Sequence, residues 1–107
     1  MSSTFLALPD LPSIEGLPDG YTECHPNGTI ARSVARYSGG STEDNHYRPD
    51  GTWFRWVLRY ANGRVEDRHY HPDGTRSRKV ARQVGGEIWD YHHRPDGSLA
   101  AIIRHTP

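Results

Sequence analysis

One phrase recurs through the chain. It reads HYRPDGT at His46–Thr52 and HYHPDGT at His69–Thr75, with looser forms at His25–Thr29 (HPNGT) and His92–Ser98 (HHRPDGS). The turn prolines Pro26, Pro49, Pro72 and Pro95 stand 23 residues apart. The same step separates Gly40, Gly63 and Gly86, and likewise Asp44, Asp67 and Asp90, and His46, His69 and His92. It also separates Val34, Val57, Val80 and Ile103, and Arg36, Arg59 and Arg82. A constant period without insertions restricts the fold to one in which each unit meets the next in the same way.

Each unit carries two turn signals. In Pro-Asp-Gly, proline presets φ for the first central position of a type I turn, aspartate suits the second and glycine takes the left-handed position after it, which gives a three-residue hairpin loop. Half a period later stand Ser38-Gly39-Gly40-Ser41, Ala61-Asn62-Gly63-Arg64 and Val84-Gly85-Gly86-Glu87. Asn-Gly and Gly-Gly favour two-residue type I′ loops. The runs between turns are rich in Val, Trp, Tyr, Arg and Thr, with TWFRWVLRY (52–60) the strongest strand signal, and no segment has a helical apolar stripe. The expectation is an all-β chain, an antiparallel meander of about four β-hairpin repeats in an open twisted single sheet, with a small up-and-down barrel as the alternative. The repeats fall at 21–43, 44–66, 67–89 and 90–107. Residues 1–20 lie outside them, as an apolar cap on a face or edge, or a tail.

These turn types predict a register. Arg36 faces Glu43, Arg59 faces Glu66, Arg32 meets Tyr47 and Arg55 meets Tyr70; Trp53 faces Tyr47 and Phe54 faces His46. One face then carries Tyr47, Tyr70, His93, Trp53, Leu99, the Val34/Val57/Val80/Ile103 row and the arginines. The other carries the Asp and His rows with Phe54, Trp56, Leu58, Val65 and Ile88. A slip of one residue exchanges the faces.

Tyr60–Thr75 (YANGRVEDRHYHPDGT) resembles the tyrosine- and glycine-turn repeats of the Rhs/YD class. The 23-residue hairpin period is similar to MORN repeats, in particular their bacterial YwqK-like antitoxin variant with tyrosine-proline-aspartate/asparagine-glycine turns. The glycine-aromatic-glycine spacing of the usual MORN unit is absent, as is the paired Tyr-Asp of the YD class. The resemblance spans about residues 21–105. It implies a β-hairpin repeat protein that acts by contact, of a kind found among bacterial toxins, antitoxins and immunity partners.

Composition limits the partners. Thirteen basic and thirteen acidic residues leave a formal net charge of zero, which disfavours nucleic acid and anionic membranes. The single cysteine, Cys24, excludes an internal disulfide framework. MSSTFLALPDLPSIEG has no basic start and its apolar run is broken by Pro9 and Pro12, so a cytoplasmic protein is expected.

Four groups of residues invite a chemical reading. In Asp44/His46, Asp67/His69 and Asp90/His92, positions i and i+2 share a strand face, which suits a metal ladder or an acid–base pair. The plain alternative is a structural Asp–His bond repeated with the unit, and two ligands per unit are too few for tight zinc. Cys24 reads better as a small buried filler than as a nucleophile. The arginines Arg32, Arg36, Arg55, Arg59, Arg78 and Arg82 suit phosphate or RNA, or ladder pairing with Glu43 and Glu66. RSRKVAR (Arg76–Arg82) is the one local basic patch. The aromatic group Tyr47, Trp53, Phe54, Trp56 and Tyr60 is the richest surface, and Trp, Tyr and Arg dominate interface hot spots. No phosphate loop, nucleophile elbow or multi-ligand metal signature occurs, so neither enzyme, metal nor cofactor is expected.

The expected function is a non-enzymatic protein-binding module that blocks a functional surface of a toxin, defence or effector protein, as an immunity protein, antitoxin or phage-coded inhibitor does. The partner-binding residues are Tyr47, Trp53, Phe54, Arg55, Trp56, Tyr60, Tyr70, Arg76, Arg78 and Arg82, and a homodimer is a further expectation. The alternative is a module for carbohydrate or single-stranded nucleic acid.

Overall fold

A computed structural model describes residues 7–107. Eight strands follow one another in a single open antiparallel sheet ordered as in the sequence. They are β1 (Thr22–Cys24), β2 (Ile30–Arg36), β3 (Thr42–Tyr47), β4 (Trp53–Arg59), β5 (Val65–Tyr70), β6 (Arg76–Arg82), β7 (Ile88–His93) and β8 (Leu99–His105). β1 and β8 are the two edges and do not pair, so the barrel alternative is not adopted.

Every hairpin closes the same way, which corrects the expected type I′ turns. Tyr60 N–H donates to Arg64 O and Gly63 N–H to Tyr60 O, just as Arg48 N–H donates to Thr52 O and Gly51 N–H to Arg48 O. Both are three-residue loops ending on a left-handed glycine, with φ 96° at Gly63 and 89° at Gly51. No non-glycine residue has positive φ among the described residues, whereas a type I′ loop needs two such positions. The Pro-Asp-Gly-Thr phrase is a self-bonded turn. Asp50 Oδ1 accepts from both Thr52 N–H (2.9 Å) and Thr52 Oγ1 (2.6 Å), and Asp73–Thr75 and Asp96–Ser98 repeat this.

The longer loop moves the register by one residue. Leu58, not Arg59, lies opposite Glu66, and Ala35, not Arg36, lies opposite Glu43. The expected Arg–Glu and Arg–Tyr pairs therefore do not form. Instead Val34, Asp44, Val57, Asp67, Val80, Asp90 and Ile103 line up as one row across seven strands. Directly opposed residues share a face, so the valine and aspartate rows expected on opposite faces are one row.

A second irregularity sits near each Pro-Asp-Gly turn. Tyr47 is opposite Trp53 as expected, but His46 is opposite Arg55, which leaves Phe54 as an extra, bulged residue. Ala31, Ser77 and Ala100 hold the same place in their hairpins. A bulge resets alternation. Trp53 and Trp56, which strict alternation separates, thereby fall on one face.

Residues 7–20, outside the repeat, carry no helix or strand and cross the sheet as a strap. Beneath it lies the best-buried part of the molecule. Val57 and Val80, like Asp44, Asp67 and Asp90, are 0% exposed. A single-layered sheet buries a row only if something covers it, and the strap does so. Cys24, expected as a buried filler, is exposed on the edge strand β1.

Candidate interaction surface

The strapped face is built from a three-part unit used three times. Arg55 on β4 places Nε 2.8 Å from Asp67 Oδ1 and a terminal nitrogen 2.7 Å from Oδ2, a two-pronged grip on a fully buried carboxylate. Arg32 holds Asp44 and Arg78 holds Asp90 in the same manner. The i+2 histidine completes each unit: Nε2 of His46, His69 and His92 lies 3.0–3.1 Å from its aspartate. By angle these contacts fall short of a full hydrogen bond, although they bring each imidazole directly against its carboxylate. Burial pushes the Asp44 carboxyl up, but His46 and Arg32 outweigh it and hold it down to about 2. Asp67 and Asp90 are lowered by the same opposition, their histidine and arginine neighbours overcoming burial.

Each of these arginines has a further task. The nitrogen of Arg55 that meets Asp67 also donates to Asp10 O (2.7 Å); Arg32 donates to Ser13 O and Arg78 to Ala7 O, both at 2.9 Å. A second arginine row, four residues along the strands, reaches over from the other side. Arg82 donates to Pro9 O, Arg59 to Pro12 O and Arg36 to Ile14 O. The strap is thus gripped by its carbonyls along both flanks. Its sequence explains the fit. Ala7-Leu8-Pro9, Asp10-Leu11-Pro12 and Ser13-Ile14-Glu15 form triplets, with the first residue exposed and the apolar second half-buried. Proline-rich extended chain repeats every three residues and advances roughly 9 Å in doing so. Two strands of a sheet span roughly 9.6 Å. One triplet therefore matches one hairpin, and Ala7, Asp10 and Ser13 find the same arginine position on β6, β4 and β2.

Among the described residues no segment crosses the opposite face. Trp53 stacks on Trp56 (centroids 5.2 Å apart, planes at 16°), on Tyr70 (5.6 Å, 26°) and on Tyr47 (6.4 Å, 24°). Trp53 remains 39% exposed. Cations lie over rings beside this stack: Arg68 over Trp56 at 4.9 Å and Lys79 over Tyr91 at 5.4 Å. Arg104 lies over Trp89 at 5.1 Å. Long side chains lying flat cover shorter ones, and Glu66 is buried under Arg68 and Arg64. Burial raises the Glu66 carboxyl and those two arginines bring it below its usual value.

The expected partner-binding residues divide between the two faces. Tyr47, Trp53, Trp56 and Tyr70 converge, and Arg76 adjoins them opposite Tyr70. Phe54 is the exposed bulge residue under Arg48, and Tyr60 lies with Arg64 at the far end of β4. Arg55, Arg78 and Arg82 belong to the strapped face and are engaged there. The sequence reading missed Arg68, Lys79, Tyr91, Trp89 and the strap's triplets. The triplets were visible as Leu-Pro at a three-residue spacing; the others required the true register.

No group of three or more His, Cys, Asp or Glu side chains is placed to hold a metal ion among the described residues, and no helix there is long and apolar enough to cross a membrane. Against models of known protein families and against curated proteins, the chain has no match.

Proposed function

We propose that the protein is a non-enzymatic binding module whose open face docks on a partner protein and occludes that partner's functional surface, in the manner of an immunity protein, antitoxin or phage-coded inhibitor. One observation carries this reading. Residues 7–14 cover one face, and among the described residues no segment crosses the stack of Tyr47, Trp53, Trp56 and Tyr70, bordered by Arg68, Lys79 and Arg76, on the other. Stacked rings are rigid and lose little freedom on binding, and arginine and tryptophan dominate hot spots. The test is affinity capture of a partner by the intact protein and by Trp53→Ser and Arg68→Ser variants, each checked for a native circular dichroism spectrum. The reading predicts that both variants lose the partner and that Val84→Ser, on the far turn, retains it. Equal capture by all three contradicts it.

A second reading rests on the same stack. Rings flanked by cations also form a platform for bases of single-stranded nucleic acid or for sugar rings. Binding of a labelled oligonucleotide that falls steeply with salt and is lost in Trp53→Ser would favour it.

A further inference from the structure

The two edges of the sheet are unlike. β1 has three residues, Thr-Glu-Cys, interrupted by a register shift. β8 has seven, Leu-Ala-Ala-Ile-Ile-Arg-His, and among the described residues it is hydrogen-bonded on one side only, to β7. Past the bulge at Ala100 its register is regular from Ala101 to His105. Alternate residues of such a strand turn free N–H and C=O groups outward, a template for another strand. Proteins blunt such edges with lysine or proline. β8 has neither, and its single arginine, Arg104, is turned back onto Glu87 and Trp89. Leu99 and Ile102 are 46% and 47% exposed.

The repeat chemistry narrows what can pair there. In β2, β4 and β6, Arg32, Arg55 and Arg78 each hold an aspartate on the following strand. The same position on β8 is Ala101. The neighbour of β8 is therefore not asked for an aspartate, as another strand of this repeat would be. It is asked for a small or apolar residue, which β8 itself supplies. Charge sets the direction. In an antiparallel pairing centred on Ile102, Ala101 lies opposite Ile103 of the second copy, and the two Arg104 side chains stand apart at opposite ends of the seam. A parallel pairing would bring the two Arg104 side chains together. The short, polar β1 offers no match for head-to-tail growth.

We propose that the β8 edge pairs with β8 of a second copy of this chain, antiparallel about a two-fold axis near Ile102, so that one sheet runs through both molecules. A two-fold axis normal to the sheet keeps both open faces on the same side. The pair then presents two aromatic stacks to one partner or to a symmetric one, and gains avidity if both engage.

The test is sedimentation velocity on the intact chain over roughly 1 µM to 1 mM, where a modest interface associates, with hydrogen exchange of the β8 amides at both extremes. The expected result is a concentration-dependent dimer, with β8 amides gaining protection as it forms. Ile102→Lys should remain monomeric with a native spectrum, and Trp53→Ser should still dimerise. A monomer throughout the range overturns the proposal, as does a dimer that survives Ile102→Lys or one that dissolves with Trp53→Ser. None of these outcomes depends on whether the open face binds a partner.

Discussion

At the scale of single residues, the molecule is organised around buried aspartates, each gripped by an arginine. Asp67 is 0% exposed, yet it carries a two-pronged arginine and a histidine. Removing one partner of such a pair strands the other. Asp67→Ala should therefore cost about 3–5 kcal/mol in chemical denaturation. Arg104→Ala, which removes an ion pair at the exposed rim, should cost about 0–1 kcal/mol. Acid gives an independent reading of the same ladder. The folded chain holds Asp44 at about 2 against an ordinary 3.8. As pH falls, the unfolded chain therefore binds its proton first. Stability from these carboxylates should be intact above the ordinary aspartate range and drain away between about pH 4 and pH 2. A urea midpoint unchanged across that window would contradict the assigned pairing.

At the scale of elements, turn chemistry decides what each side chain faces. Gly63 has φ 96° with open space around it, so Gly63→Ala should cost about 1–2 kcal/mol through backbone strain alone. Gly39→Ala, at a position without positive φ, should be neutral or slightly stabilising. This pair of variants separates the three-residue loop from a two-residue one. It also marks where the sequence stopped being legible. The period, the strand number and the antiparallel order follow from spacing, because prolines and glycines at fixed intervals leave no room for other elements; spacing alone leaves open sheet and small barrel both possible, and the mixed polarity of both faces is what favours the open sheet. The register does not, because Ala61-Asn62-Gly63 and Gly39-Gly40 fit two loops that differ by one residue, and one residue exchanges the faces. The bulges at Phe54 and Ser77 were invisible for a related reason: nothing in the residue itself announces an unpaired position. The convergence of Tyr47, Trp53 and Tyr70 survived, since those residues lie beside the correctly read Pro-Asp-Gly turns. Arg55, Arg78 and Arg82 did not stay with them, since their environment depends on the other turns and on the strap. The strap is itself testable. Leu11 is the half-buried second residue of the middle triplet. Placing a charge there by Leu11→Asp should loosen residues 7–14 and destabilise the chain by about 2–3 kcal/mol, whereas Asp10→Ser, at an exposed triplet position held only by its carbonyl, should change little.

At the scale of the whole molecule, the two faces divide the labour. On one, two rows of arginine bond the chain's own peptide carbonyls, and the other leaves Trp53 of its aromatic stack exposed. A thin sheet of eight strands has no separate core, so covering one face is what gives it a buried centre, and the binding reading rests on the other face remaining free. If the stack is the hot spot, Trp53→Ser should weaken partner affinity by about 2 kcal/mol or more, roughly thirtyfold, with no loss of fold. The most direct measurement of this division is paramagnetic relaxation from a nitroxide placed at Asp10→Cys in a Cys24→Ser background. The account predicts strong broadening of amides at the centre of β4 and β5, around Arg55 and Asp67, with a graded decline toward β1 and β8. Broadening confined to residues near β1, or weak and uniform across the sheet, would show that the segment does not lie across the arginine face and would contradict the assignment of the free face as well.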